Sequence, residues 1–171
     1  MLPLSSEPRP LGTTDIPVSP IAWGMWRFAG NDVTTARALI EAALAAGITL
    51  FDTADIYGVD TPGGFGSAQG RLGRVLAEAP ALSGHMVLAT KGGIIPGTPY
   101  DSSADYLGAA LDASLARLGI DHVDLWQVHR PDLMTHPEAL AKTLTRMVES
   151  GKTRAAGGSD FSPSQPRDLH A

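Results

Sequence analysis

The stretch VTTARALIEAALAAGITLFD, residues 33–52, decides the fold class. Residues 33–46 predict a helix, with apolar side chains on one face at Val33, Ala36, Leu39, Ile40, Ala43 and Leu44. Asn31 or Asp32 can cap its start, and Gly47 stands where a helix ends. The apolar run at 48–52 then predicts a strand. A helix followed at once by a buried strand is the repeating unit of parallel α/β proteins.

The same alternation continues on both sides of this stretch. Further strands are predicted at 20–25, 86–90, 123–128 and 154–158, and further helices at 68–78, 104–118, from Thr135 to about Ser150, and from about Pro163. Thr135 and Glu138 have the spacing of a capping box. Residues 11–19 predict a small N-terminal hairpin. The pattern therefore indicates one domain over residues 1–171, built from five βα units.

Two α/β folds share this pattern. One is an open doubly wound sheet, and the other is a (β/α)8 barrel. A barrel usually takes ~250 residues and at least ~200, so the open sheet fits the 171 residues better. The periodicity alone leaves both folds open.

Composition narrows the classes of function. The chain has 13 Lys and Arg against 18 Asp and Glu, a net charge of −5, with no block of basic residues. This balance argues against binding to nucleic acid or to anionic membranes. The absence of cysteine excludes disulfide scaffolds and thiolate zinc sites, and we expect no metal centre. The N-terminus lacks the pattern of a signal peptide, so we expect a cytoplasmic protein.

Polar residues follow three successive predicted strands. Asp52, Lys91 and His129 stand at the carboxyl ends of these strands, where parallel α/β proteins gather their functional groups. Each residue taken singly also has a structural explanation, as a cap, a solvated lysine or a loop histidine. Tyr57 follows Asp52 by five residues, and the four residues together are harder to explain structurally.

The chemistry of this set favours carbonyl reduction. An unperturbed tyrosine hydroxyl holds its proton up to about pH 10. To act as an acid near neutrality, Tyr57 needs an adjacent cation, and Lys91 can supply it. Asp52 can hold Lys91 in place and keep it charged, and His129 can orient a carbonyl oxygen by a hydrogen bond.

Several motifs carry a resemblance to a known family. They are LGTTDIPVSPIAWGMW (11–26), DTADIYG (52–58), TKGG (90–93), LWQVHRPD (125–132) and GKTRAAGGSDF (151–161). In this order and spacing, the chain resembles the aldo-keto reductases. Within them it is similar to a bacterial branch that includes the YdhF-like oxidoreductases.

The resemblance implies a TIM-type (β/α)8 barrel that uses NADPH to reduce aldehydes and ketones. It implies a catalytic tetrad of Asp52, Tyr57, Lys91 and His129, in which Tyr57 is the general acid. It implies a small carbonyl substrate bound at Trp26, Tyr57 and His129. The cofactor-binding residues that it implies are Gly24, Met25, Trp26 and Asp52 near the nicotinamide ribose, and Ser159 and Asp160 at the carboxamide.

The chain departs from the family in three respects. Asp160 stands where the family usually has Asn, which removes an amide donor. Gly158 replaces a residue that is commonly β-branched, so we expect a looser strand. The chain also stops near the fifth of eight units, so we expect an incomplete, C-terminally truncated barrel, largely inactive and self-associating through open strand edges. The alternative function is a non-catalytic half-barrel that binds a partner.

Other motifs fit their chemistry less well. Residues 63–70 (GGFGSAQG) miss the dinucleotide fingerprint by one residue, and GKT at 151–153 lacks the glycine of a P-loop. His122, His129 and His136 lack zinc-site spacing. Asp52 and Asp55 could form a glycosidase pair, but that would leave Tyr57 unexplained. Trp23 is assigned to the core and Trp26 to the wall of a substrate pocket.

Overall fold

A computed structural model describes residues 7–165. The elements are β1 (Arg9–Pro10), β2 (Pro17–Val18), β3 (Ala22–Gly24), a 3₁₀ helix (Phe28–Gly30), α1 (Val33–Ala45), β4 (Leu50–Asp52), α2 (Ser67–Glu78), a second 3₁₀ helix (Pro80–His85), β5 (Val87–Gly92), α3 (Ala104–Leu118), β6 (Val123–Val128), α4 (Pro137–Glu149) and β7 (Thr153–Gly158). No helix among the described residues has the length and apolar character that crossing a membrane requires.

The main sheet has five parallel strands in the order β3-β4-β5-β6-β7, and β1 pairs with β2 as a separate antiparallel hairpin. The spatial order of the strands follows their order in the chain. A doubly wound sheet reverses its strand order at a switch point, whereas a barrel adds each strand beside the one before. The topology therefore decides for the barrel type, of which these strands form five consecutive units.

The two faces of the sheet are covered by different elements. On one face, α1 to α4 pack over a core that includes Phe51, Leu72, Leu111 and Trp126. On the other face, Ile16 and Val18 of the hairpin segment pack with Ala155, against the partly buried Leu50, Val87 and Leu125. The hairpin thus covers this face at the starts of the strands, away from the strand ends that carry the candidate site.

Most predicted elements are confirmed, and two of them, 104–118 and 123–128, agree to the residue. The helix predicted from 33 begins after Asp32, whose side chain accepts a hydrogen bond from the Thr35 amide at 2.7 Å. The helix predicted from about Pro163 falls mostly outside the described residues.

Two local predictions are wrong. Leu39 was assigned to the buried face of α1, but it is 41% exposed, because the packed stripe is centred on Ala36 and Ile40. The capping box at Thr135 does not form: Pro137 takes the first helical position, and the side chain of His136 caps α4. The Thr135 hydroxyl instead donates to Asp132 at 2.6 Å.

Candidate active site

The carboxyl ends of neighbouring strands bring the predicted polar residues together. Asp52 ends β4, Lys91 lies near the end of β5, and His129 directly follows β6. The His129 amide donates to the Gly92 carbonyl at 2.8 Å, so the main-chain pairing of the sheet continues to His129. This continuous pairing places the three side chains on rigid backbone.

Lys91 and Asp52 form a close ion pair at this edge. Lys91 Nζ lies 2.6 Å from each carboxylate oxygen of Asp52 and donates to the Thr53 carbonyl at 3.0 Å. The Lys91 side chain is 5% exposed, while that of Asp52 keeps 27% exposure. Three acceptor oxygens therefore hold the buried ammonium in place, and the carboxylate balances its charge.

Tyr57 stands beside this ion pair, on the turn after β4. Its ring centroid lies 5.0 Å from Lys91 Nζ and 5.8 Å from the His129 ring, which meets it edge-on at 79°. Trp26 stacks on the other side of the ring at 5.8 Å and 21°. The structure thus brings Asp52, Tyr57, Lys91 and His129 into one cluster with Trp26.

His129 is neutral at physiological pH. Burial lowers the pKa of its imidazole to about 4, and the charges of Lys91 and Arg130 add to the effect. The side chain is buried, and its Nδ1 atom has no hydrogen-bond partner among the described residues. A neutral imidazole can donate one hydrogen bond to a ligand, but it carries no readily released proton.

The other predicted site residues flank this cluster to different degrees. Gly24 is exposed and Trp26 is 67% exposed, so both face open space at the end of β3. Met25 is 1% exposed and packs in the core, so a ligand could meet only its main chain. Ser159 directly follows β7, and its amide donates to the Val128 carbonyl at 2.8 Å.

Asp160 has a partner that sequence reasoning missed. Arg130 Nη1 lies 2.6 Å from Asp160 Oδ2, with 41% and 52% side-chain exposure. The only sequence signal for Arg130 was its place directly after His129. Asp160 adopts φ +57°, a left-handed conformation that Asp and Asn tolerate better than most residues. The negative charge that we expected at this position is therefore balanced by an arginine.

Gly158 is the last residue of β7 and lies against the Phe161 ring. It pairs in register with Val128, and a Cβ built at Gly158 would lie 2.6 Å from the Phe161 ring. The Phe161 ring can pack this close because residue 158 is glycine; the Cβ of any other residue would collide with the ring. The pairing of β7 therefore continues through the glycine, and a looser strand stays a prediction.

Asp52 and Asp55 do not form a carboxylate pair. The Asp52 carboxylate binds Lys91, whereas Asp55 Oδ2 lies 3.1 Å from a Cβ built at Gly92. Lys91 and Gly92 are successive residues of β5, so their side-chain directions point to opposite faces of the sheet. The two carboxyl groups therefore lie on opposite sides of β5. This geometry excludes the glycosidase alternative.

The weaker motifs also lie apart from the cluster. GKT leads into β7, whose first residue is Thr153, rather than into a helix, so it cannot form a P-loop. The glycine-rich segment joins the Tyr57 turn to α2. Within residues 7–165, no group of three or more His, Asp or Glu side chains could hold a metal ion.

Comparison with known proteins identifies the family. The chain matches the Aldo/keto reductase family over residues 20–171. It is 58% identical over 166 residues to a 6-dehydroglucose reductase of Novosphingobium aromaticivorans, covering 96% of this chain and 55% of the relative. It is 36% identical over 165 residues to an L-glyceraldehyde 3-phosphate reductase of Escherichia coli, covering 92% of this chain and 46% of the relative.

Solved structures agree with this assignment. The fold matches a glycerol dehydrogenase of Gluconobacter oxydans, AKR11B4, with TM-score 0.81 and 32% identity, covering 98% of this chain and 52% of that one. The five-unit sheet is thus part of a (β/α)8-type barrel. The protein belongs to the aldo/keto reductase family, and it spans about half the length of the curated relatives it matches.

Proposed function

We propose that this protein takes part in the reduction of a carbonyl group to an alcohol, with NADPH as the reductant. The observation that carries this proposal is the cluster of Tyr57, Lys91, Asp52 and His129 at one edge of the sheet. It unites a proton source, a fixed cation and a neutral hydrogen-bond donor. The family membership supports the same reaction class.

The residues beside the cluster fit the nicotinamide end of such a cofactor. Cβ atoms built at Gly24 and Gly157 would meet nothing within 4 Å, so the surface of the sheet at these two positions is unobstructed. A planar ring needs this kind of flat, unobstructed surface. Ser159, Asp160 and the main chain of residues 24–26 would hold it there. When bound, the nicotinamide supplies the hydride that the carbonyl carbon accepts.

The structure favours Tyr57 over His129 as the acid that protonates the carbonyl oxygen. His129 has a pKa of about 4, so almost none of it is protonated at neutral pH. It can instead orient the carbonyl oxygen by a hydrogen bond. The Tyr57 hydroxyl gives its proton to the oxygen as the alcohol forms, and the nearby Lys91 ammonium stabilises the phenolate that remains. Asp52 keeps that ammonium in position.

We further propose a small polyhydroxylated aldehyde or ketone as substrate. The relative at 58% identity is a 6-dehydroglucose reductase, so 6-dehydroglucose is the first compound to test. An open groove of about 790 Å³ lies next to the cluster; it is lined by Trp26, Arg27, Asp60 and Thr61 but by none of the four cluster residues. Its mixed apolar and polar lining suits a sugar, which presents both hydroxyl groups and C–H faces.

The first test removes only the hydroxyl of Tyr57. We expect Tyr57→Phe, in this chain or at the same position of a full-length relative, to lower kcat by about 10²–10⁴-fold, the usual loss for a general acid. The measurement is NADPH oxidation with an activated aldehyde and with 6-dehydroglucose. Tyr100→Phe, at an exposed tyrosine, is the matched control and should keep wild-type turnover. Equal turnover in Tyr57→Phe and Tyr100→Phe would contradict the assignment.

A second proposal is that this chain associates with copies of itself. Within residues 7–165, the outer edges of β3 and β7 pair with no other strand. Unpaired strand edges expose amide and carbonyl groups that readily pair with another chain. Light scattering after size-exclusion chromatography should show dimers or larger species. A monodisperse monomer that binds NADPH in the micromolar range would argue against this proposal.

A further inference from the structure

A buried glutamine links three elements behind the candidate active site. Gln69 of α2 is fully buried, and its Nε2 donates to Thr90 Oγ1 at 2.8 Å and to Ser114 Oγ at 3.0 Å. Arg117 Nη1 of α3 donates to Gln69 Oε1 at 3.0 Å. Thr90 precedes Lys91 in β5. The network therefore connects α3, through α2, to the strand that carries the lysine of the site.

Arg117 also holds the segment that follows Tyr57. Its guanidinium carbon lies 5.5 Å from the Phe65 ring centroid, a cation–π contact. A Cβ built at Gly66 would lie 2.4 Å from Arg117 Nε, and Gly66 has φ +82°. Only glycine therefore allows this approach and this backbone conformation together. The arginine side chain is packed directly against the end of the 58–66 loop.

The main chain carries this contact to the Tyr57 turn. Gly66 donates its amide to the Asp55 carbonyl at 2.7 Å, and Asp55 donates its own amide to the Lys91 carbonyl at 3.0 Å. The Ala68 amide donates to the Tyr57 carbonyl at 3.2 Å. The turn is thus held between β5 on one side and the start of α2 on the other.

Asp55 adds an electrostatic link to the same arginine. Its side chain is 1% exposed, and neither carboxyl oxygen has a hydrogen-bond partner among the described residues. Burial raises the pKa of Asp55 to about 7, while the nearby Ile56 amide and the charges of Arg117 and Lys91 oppose the rise. Burial raises the pKa of Tyr106 of α3 to about 12, and the nearby charge of Asp55 adds to the rise.

We propose that Arg117 is a positioning residue for the candidate active site: from α3 it holds residues 55–66 against the sheet, so that the Tyr57 ring stays beside Lys91 and His129. No hydrogen bond or ion pair within residues 7–165 joins Arg117 to any of these three residues. It therefore acts through Gly66, Phe65 and Gln69 rather than on a substrate. The catalytic part of this proposal rests on the proposed function.

The test compares Arg117→Met with Arg74→Met in the full chain. Methionine keeps an unbranched apolar stem but removes the guanidinium, and Arg74 is an exposed arginine on α2. Misplacement of a catalytic group by about 1 Å can cost up to 10²-fold in rate. We expect Arg117→Met to lower kcat by about 10- to 100-fold with the carbonyl KM nearly unchanged. Arg74→Met should change neither constant.

A second measurement does not depend on activity. Fluorotyrosine labelling gives 19F resonances for Tyr57, Tyr100 and Tyr106, which single Tyr→Phe variants assign. In Arg117→Met we expect the Tyr57 resonance to shift or broaden, while the Tyr100 resonance stays in place. Should this variant fold poorly, Phe65→Ala removes the partner of the guanidinium at a 37% exposed position and should move the Tyr57 resonance the same way.

The outcomes separate the two proposals. Wild-type turnover that survives Tyr57→Phe contradicts the proposed function, and the 19F spectra still decide the role of Arg117. An unmoved Tyr57 resonance in folded Arg117→Met, or in Phe65→Ala if the first variant does not fold, overturns the positioning role, whatever the effect on kcat. A shifted resonance with an unchanged kcat in an active enzyme overturns its catalytic part.

Discussion

Two carboxyl groups three residues apart, Asp52 and Asp55, meet opposite environments on the two sides of β5. Asp52 faces the candidate site, where its carboxylate forms an ion pair with Lys91 Nζ at 2.6 Å and stays partly exposed to solvent. Asp55 faces the helices, where it is buried and neither carboxyl oxygen forms a well-aligned hydrogen bond within residues 7–165. The two sides of one strand therefore treat the same chemical group in opposite ways.

This difference shows how the fold separates a reactive cluster from its support. On the side of β5 that carries the candidate site, here called the front, charges are paired and open to a ligand; the opposite side, toward the helices, is the back. On the back, the polar groups around Gln69 are buried and fix the positions of α2, α3 and β5. Asp55 is buried near this network without a hydrogen bond to it, and a buried carboxyl without such bonds carries an energetic cost.

The largest effect should come from removing the cation on the front. Lys91→Met leaves Asp52 without its partner, and breaking a fully buried pair costs about 3–5 kcal/mol. We expect a loss of about 2–4 kcal/mol in the free energy of unfolding, because Asp52 is partly solvated. The control is Lys152→Met, which breaks an equally short but exposed pair with Asp112 and should cost about 0–1 kcal/mol. Equal losses in urea unfolding would show that burial does not distinguish the two pairs.

An opposite effect should come from neutralising the carboxyl on the back. The pKa of Asp55 is about 7 in the folded chain against an ordinary 3.8, so the folded state holds an extra proton between these values. Stability is then highest at low pH and falls as the pH rises from about 4 to 7. Asp55→Asn should remove this loss and stabilise the fold at pH 8 by on the order of 2 kcal/mol, since the amide also loses hydration on burial.

Urea unfolding of wild type and Asp55→Asn between pH 4 and pH 8 measures this effect. The gain in the variant should be small at pH 4, grow up to pH 7 and stay constant above it. Asp52→Asn is the control on the front, and it should destabilise the fold because it removes an ion-pair partner. A pH-independent difference between wild type and Asp55→Asn would rule out titration of Asp55 in this range.

The smallest effect concerns Asp160 at the edge of the site. Asp160→Asn restores an amide donor toward a nicotinamide carboxamide, while Arg130 already balances the carboxylate that it removes. One added hydrogen bond is worth about 0.5–1.5 kcal/mol, and loss of the exposed pair offsets part of it. We expect the NADPH Kd to fall a few-fold in a fluorescence titration. Asp112→Asn, at a pair outside the site, should leave the Kd unchanged, and equal Kd values for all three proteins would argue against a carboxamide contact at Asp160.

The sequence was most informative where local pattern and fold geometry coincide. The helix at 104–118 and the strand at 123–128 agree with the structure because their apolar periodicity is unambiguous. Asp52, Lys91 and His129 were predicted to meet because the ends of parallel strands in one sheet lie side by side. Tyr57 followed from its distance along the chain from Asp52. Periodicity did not distinguish an open sheet from a barrel; the resemblance implied the barrel, and the observed strand order confirms it.

What the tertiary structure alone decided are the directions and partners of individual side chains. The pairing of Arg130 with Asp160, and of Arg117 with Gln69, joins residues 30 and 48 positions apart, and no local pattern encodes such contacts. The opposite environments of Asp52 and Asp55 depend on which face of β5 each side chain meets after the turn. Periodicity reports how apolar each face of an element is, but burial and charge partners arise only when distant elements pack together.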